Sequence, residues 1–291
     1  MMLNRRNFLM QLGLLGAGLT MAPQLIAAKV PQKAGFQLYN LRAILASDVP
    51  GNLAKVAAAG YSVVETFGYS KENGFWGLKP EKLKSLLQEN GLTSISGHYN
   101  FNKLFIDGDL SEVDNVLEAA KILGQQYIVI PWLAKGFIKD SATMDKTIAY
   151  IAKAAAHVKK AGLKLAYHNH DFEFIPVDGK VFYEQLLEKI DPKLLDFELD
   201  VYWVVRVGQD PVKWFEKYPG RFKLLHIKDM DKENPQLNTE IGNGSIDYKR
   251  IIAHAAVGGV KQLIMEQENF KIDPFESIKR SAAYMNANLI K

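Results

Sequence analysis

From residue 35 onward the chain repeats one pattern eight times: a short run of apolar, β-type residues followed by a longer amphipathic stretch. GFQLYN precedes DVPGNLAKVAAAG, YSVVETF precedes KPEKLKSLLQENG, and LTSISGH precedes DLSEVDNVLEAAKILG. QYIVIP then leads into a long segment from Ser141 to Gly162, where Ser141 is expected to cap a helix and Gly162 to end it. KLAYHNH, LLDFELD, FKLLHIKD and QLIMEQE follow, each with its own helix-like partner. The apolar runs have strand length and the partners have helical periodicity. Eight such units with right-handed crossovers predict a parallel (β/α)₈ barrel, the TIM-barrel architecture of the α/β class. An open doubly wound sheet would carry a glycine-rich phosphate turn after its first strand. Here the first run ends in Tyr39-Asn40-Leu41-Arg42, so that alternative is set aside.

A chain of 291 residues that is 48% hydrophobic can close one large core as a single domain. The net charge of +4 is spread among acidic residues with no long run of one sign, so nucleic acid is not an expected partner. There is no cysteine, which excludes disulfides, thiolate ligands and a thiol nucleophile.

Residues 1–28 have a different character. Asn4-Arg5-Arg6-Asn7-Phe8-Leu9 leads into a weakly apolar stretch and a small-residue exit near Ala28. This pattern resembles a twin-arginine export signal. The expected division is therefore a signal at 1–28 and a catalytic barrel at 29–291, working in the periplasm and free of the membrane after cleavage. The apolar run is shorter than the roughly 18 to 20 residues that a membrane anchor needs.

Four of the later runs end in metal-capable residues, and a barrel gathers such endings on one rim. His168, Asp200, His226 and Glu266 are the expected ligands of one divalent ion, whether Mn, Mg, Co, Zn or Fe. His168 and His170 alternate with Asn169 and so share a face of their strand. His170, nearer the rim, is expected to act as base, acid or substrate contact, with Glu173 as the fallback oxygen ligand and a further proton-transfer candidate. Glu266 is expected to move protons as well as hold the ion, and His98 to project over the mouth and exchange a proton or bind a hydroxyl. Glu65, Lys228 and Glu268 are further rim candidates for substrate contact, Lys228 as a cation for developing oxyanion charge. Trp132 and Trp203, with Phe75 and Trp76, are candidates for an apolar wall against a sugar ring. The loop from Met230 to Ser245 is long enough to fold over a ligand. His157 and His254 fall in helix-like segments and receive no role.

The segments GFQLYNLR, AAAGYSVVE, AYHNHDFEF, LDVYW, LLHIKDM, GNGSIDY and MEQE stand in an order that resembles the sugar phosphate isomerase/epimerase family. Its barrel is that of xylose isomerase and the type-two apurinic endonucleases, and the resemblance covers roughly residues 35 to 288. It implies a metal held by a Glu on strand five, an Asp on strand six, a His on strand seven and a Glu on strand eight. Asp200, His226 and Glu266 match three of these, but strand five departs, with His168-Asn169-His170 in place of Glu-x-His. That removes a carboxylate which epimerases use as a base, and related keto-polyol dehydratases have histidine-rich motifs closer to this one.

The expected activity is metal-dependent isomerisation, epimerisation or elimination on a sugar or keto-sugar, by proton abstraction next to a carbonyl with enediolate stabilisation. Two alternatives stand beside it. A non-catalytic carbohydrate-binding or accessory protein on the same barrel is supported by the missing strand-five Glu. A DNA-repair endonuclease would need a multi-metal cluster and basic loops that the sequence lacks. Substrate and oligomeric state are left open, a homo-oligomer included.

Overall fold

The computed structural model describes residues 33–290. The expected export signal at 1–28 lies outside the described residues.

Eight parallel strands close into a barrel. They are β1 (Ala34–Gln37), β2 (Val63–Thr66), β3 (Thr93–His98), β4 (Tyr127–Ile130), β5 (Lys164–His168), β6 (Leu195–Asp200), β7 (Phe222–Ile227) and β8 (Gln262–Met265). Each pairs with its neighbours in sequence, and β1 closes the ring on β8. The outer layer contains α1 (Val49–Ala58), α2 (Pro80–Glu89), α3 (Ser111–Leu123), α4 (Ser141–Lys160), α5 (Phe182–Lys189), α6 (Pro211–Lys217), α7 (Tyr248–Ala253) and α8 (Pro274–Asn288). This is the barrel that the alternation predicts.

Several of the helix starts are set by short acidic side chains. Asp48, Asp210, Asp247 and Asp273 each accept a backbone N–H from the first turn of the helix that follows. α4 departs from the expected cap. Asp140, not Ser141, caps it, in a reciprocal box with Thr143. Ser141 already lies inside the first turn, because the aspartate one residue earlier reaches the Thr143 N–H at 2.8 Å. Gly162 does follow the helix end, at φ +83°.

Most of the apolar core lies between strands and helices. Inside the barrel, Tyr127, Val129, Ala166, Leu224 and Ile264 form a separate small cluster, with Ile95 packed against it. The lumen above this plug is polar, and two irregularities aim residues into it. The β2–β3 register skips Ile95, so Ile95 and His98, three residues apart, both face the lumen. The β6–β7 register skips Lys223. Phe222 therefore packs outward on Phe215, while Leu224 and His226 turn inward. In regular strands those pairings of faces would be reversed.

Two small hairpins extend the mouth. Tyr69–Ser70 pairs with Gly74–Phe75, which leaves Phe75 fully buried rather than facing a ligand. Asp229–Met230 pairs with Asn238–Thr239. The Asp229 carboxylate gathers the N–H groups of Met230, Gly242, Gly244 and Ile246 within 3.2 Å. The long segment after Met230, expected to be able to fold over a ligand, is thus anchored to the end of β7. Among the described residues no helix is long and apolar enough to cross a membrane.

Candidate metal centre and active site

The side chains of His168, Asp200, His226 and Glu266 converge at the C-terminal ends of β5 to β8. All four are buried, and one ligand atom from each lies within 4.8 Å of the others. His168 Nε2 stands 3.9 Å from Asp200 Oδ2, and His226 Nδ1 stands 3.2 Å from Glu266 Oε2. Adjacent strands bring Asp200 and His226 into direct register.

Asn169 holds the rim between β5 and β6. Its Oδ1 accepts the Asp200 N–H at 3.0 Å and its Nδ2 donates to the Asp200 carbonyl at 3.3 Å. The side chain thus continues the ladder one step past the last residue of β5. That leaves the backbone free to turn at His170.

A second group lies directly beneath, formed by Glu65, His98 and Glu198 with the inner nitrogens of His168 and His226. Glu198 is the functional-site candidate that sequence reasoning missed. It stands two residues before Asp200 in LDFELD, so strand alternation alone places both carboxylates on one face.

Charge is unevenly matched here. Glu65, Glu198, Asp200 and Glu266 are all buried, with Lys228 and the histidines as their partners. Asp200 Oδ2, Glu198 Oε1 and Glu65 Oε2 have no hydrogen-bond partner among the described residues. Buried carboxylate oxygens without a donor are costly unless a cation meets them. Two imidazoles and two carboxylates in this arrangement suit a borderline-hard divalent ion. The residues therefore fit the expected metal.

Burial pushes the Asp200 carboxyl up to about 7. It also lowers His168, with the neighbouring His226 and His98 acting in the same direction. Burial opposes protonation of His98 too, yet the Glu65 and Glu198 carboxylates raise that imidazole to about 10. His170 goes the other way, down to about 3, through burial and the Lys228 cation.

The other expected residues separate into contacts and supports. His98, His168, His170, Trp132 and Glu268 line a cavity of about 320 Å³, together with Tyr39, Phe67 and Asn100. Trp132 is half exposed at its edge. Trp203 instead packs beside His170, its ring 5.4 Å away, and under the Lys228 ammonium at 5.1 Å. Trp76 packs against Phe67.

Glu65 is not a rim residue: it is fully buried, bonded to Gln37, His98 and His226. Glu173 is not in the ligand group. Its carboxylate accepts from the Tyr167 hydroxyl at 3.0 Å and the His170 N–H at 2.9 Å, which ties it behind β5. Lys228 is buried and paired with Glu266 and Glu268. The Tyr248 hydroxyl bridges its backbone N–H and carbonyl. His157 pairs with Asp114, and His254 bonds the Arg250 carbonyl, both away from the mouth.

Known proteins share this framework. A sugar phosphate isomerase/epimerase from Parabacteroides distasonis superposes with a TM-score of 0.79 at 30% identity, covering 91% of this chain and 98% of that one. The IOLI protein with a bound zinc atom agrees in fold, with a TM-score of 0.68 at 13% identity over 89% of this chain and 99% of that one. The inosose dehydratase of Lacticaseibacillus casei is 25% identical over 150 residues, 45% of this chain and 50% of that enzyme. The chain thus spans about half the length of the curated relatives it matches. Residues 53–288 match the family described as the xylose isomerase-like TIM barrel, and the chain belongs to that family.

Proposed function

We propose that this chain is a divalent-metal-dependent isomerase, epimerase or lyase that acts on a sugar or keto-sugar by removing a proton next to a carbonyl. The observation that carries this reading is the convergence of His168, Asp200, His226 and Glu266 beside a cavity of sugar size. A divalent ion held by these four residues would supply Lewis-acid stabilisation of the charge that develops on a carbonyl oxygen, worth several kcal/mol.

The protein's own groups do the rest. His170 is held neutral and its ring lines the cavity, with a buried Nδ1 that has no hydrogen-bond partner among the described residues. A proton taken there is disfavoured by burial and by Lys228. His98, with its raised pKa, is a proton donor on the same cavity wall. That suits protonation of a departing hydroxyl. Lys228 fixes the Glu266 carboxylate, and Tyr39, Phe67 and Trp132 exclude water around the bound ring.

The His-Asn-His sequence of β5 and the likeness to inosose dehydratases support elimination from a keto-polyol over two-carboxylate epimerisation. The test is solvent deuterium exchange on a panel of keto-sugars and keto-cyclitols, with chelated and metal-repleted protein. Metal-dependent exchange at the carbon next to the carbonyl, with loss of a hydroxyl in the elimination case, is the expected result. Equal exchange in both preparations contradicts it.

A further inference from the structure

The two histidines that face Asp200 and Glu266 turn their second ring nitrogens away, into the lower tier of carboxylates. His168 shows Nε2 to Asp200 and places Nδ1 3.1 Å from Glu198 Oε2. His226 does the reverse: Nδ1 faces Glu266, and Nε2 lies 2.8 Å from Glu65 Oε1 and 3.2 Å from Glu198 Oε2. His98 Nε2 closes the tier, 3.0 Å from Glu65 Oε1 and 2.7 Å from Glu198 Oε2.

A neutral imidazole has one N–H and one lone pair, whereas a carboxylate only accepts. A ring nitrogen held against a carboxylate therefore carries the proton, and the opposite nitrogen keeps its lone pair. Glu198 Oε2 meets three ring nitrogens and can serve them only as an acceptor. For His168, whose Nε2 stands 3.9 Å from Asp200, the consequence is Nδ1–H with the lone pair toward the upper group. His226 has a carboxylate at each nitrogen, Glu65 at 2.8 Å on Nε2 and Glu266 at 3.2 Å on Nδ1, so its Nε2–H tautomer is the one selected when an ion takes the place between Nδ1 and Glu266.

We propose that Glu198 and Glu65 are positioning residues that fix these tautomers and aim both rings, and so set the affinity for a divalent ion at His168, Asp200, His226 and Glu266. This rests on the metal reading given above. It would be the carboxylate–histidine–metal relay found around many sites, where loss of the outer partner typically costs 10- to 100-fold in affinity.

His98, His168, Glu198 and His226 also converge closely enough to hold an ion of their own. Spacing favours the hydrogen-bonded reading of the lower tier. Tetrahedral ligands at about 2.1 Å from an ion lie about 3.4 Å from one another. The upper His168–Asp200 pair, at 3.9 Å, is too wide for a hydrogen bond and leaves room for an ion, and the His226–Glu266 pair at 3.2 Å suits either, while the lower contacts of 2.7 to 3.2 Å all fall in the hydrogen-bond range.

Two measurements on the full chain test the proposal. Nitrogen-15 histidine spectra of the Zn²⁺-loaded protein should show coordination through Nε2 of His168 and Nδ1 of His226, each with a proton on its other nitrogen. Coordination through Nδ1 of His168 overturns the proposal. Calorimetric titration with Mn²⁺ or Zn²⁺ should give one ion per chain in the wild type. Glu198→Gln and Glu65→Gln should bind 10- to 100-fold more weakly at the same stoichiometry. Folded Glu198→Gln protein with affinity within about twofold of wild type overturns this proposal alone. Two ions in the wild type falling to one in Glu198→Gln also overturn it, because the lower tier is then itself a metal site. A wild type that binds no ion overturns it together with the metal reading.

Discussion

Lys228 Nζ lies 3.3 Å from Glu266 Oε2, the same oxygen that faces His226 Nδ1 at 3.2 Å. One buried ammonium therefore steadies the carboxylate that closes the candidate metal centre. Lys228→Met keeps the stem of the side chain and removes its charge, leaving Glu266 and Asp200 short of a counter-charge. Removal of one partner from a buried pair costs about 3–5 kcal/mol. Denaturant unfolding of the metal-free protein is expected to show a loss of that size, and an unchanged midpoint would count against the pairing.

Metal removal has a thermodynamic signature apart from turnover. A ligand at 100 times its Kd stabilises the native state by about 2.7 kcal/mol. Mn²⁺ or Zn²⁺ at that excess should raise the melting temperature of chelated wild type. Asp200→Asn, which exchanges an unpartnered carboxylate oxygen for an amide, should abolish the rise. A full rise in Asp200→Asn would remove Asp200 from the ligand set.

Glu173 gives a pH dependence of known sign. Burial raises its carboxyl from an ordinary value of 4.5 to about 7. The folded state therefore favours the protonated form. This contribution to stability is complete below about 4.5 and is lost as pH rises through about 7. Glu173→Gln cannot titrate. Wild-type stability relative to this variant should fall by about 3 kcal/mol between those limits, since each tenfold change in proton affinity corresponds to about 1.4 kcal/mol. Parallel pH profiles for the two proteins would contradict the raised value.

The Asp229 carboxylate and the segment it gathers can be separated by one methyl group. A Cβ at position 244 would collide with Asp229 Oδ1 and the Met230 carbonyl, whereas one at position 136 meets nothing within 4 Å. Gly244→Ala should cost about 1–3 kcal/mol and open the 231–244 segment to limited proteolysis. Gly136→Ala should do neither.

Trp132 is 49% exposed at the cavity edge, so its truncation leaves the core intact. Trp132→Ala should raise KM by about tenfold, equivalent to about 1.4 kcal/mol of lost binding, without a change in thermal midpoint. A fall in kcat at constant KM would instead place this ring in the chemistry.

Alternation of short apolar runs with amphipathic stretches makes the eight units legible, and strand-end positions make His168, Asp200, His226 and Glu266 neighbours before any coordinates. Depth within the lumen is not legible in the same way. Glu65 reads as a rim residue because its strand is short. The one-residue slip at Ile95 and the burial of its partners come from the closed barrel, not from local pattern. Glu198 is within reach of simple alternation from Asp200, but a carboxylate inside an apolar run draws less notice than one at its end. Glu173 turns on Tyr167, six residues earlier but behind the strand, and Lys228 on a long-range partner, Glu266. The α4 cap lies one residue earlier than expected because Asp140 and Ser141 are both good caps, and only the Thr143 hydroxyl decides between them.

The Asn169 amide has a consequence for how a ligand would be received. With both its ends committed to the Asp200 backbone, two neighbouring strand ends are locked before anything arrives. Little conformational entropy then remains to be surrendered on binding at this corner. Any adjustment to the shape of a ligand would be left to the aromatic edge formed by Tyr39 and Trp132, whose side chains remain partly in solvent.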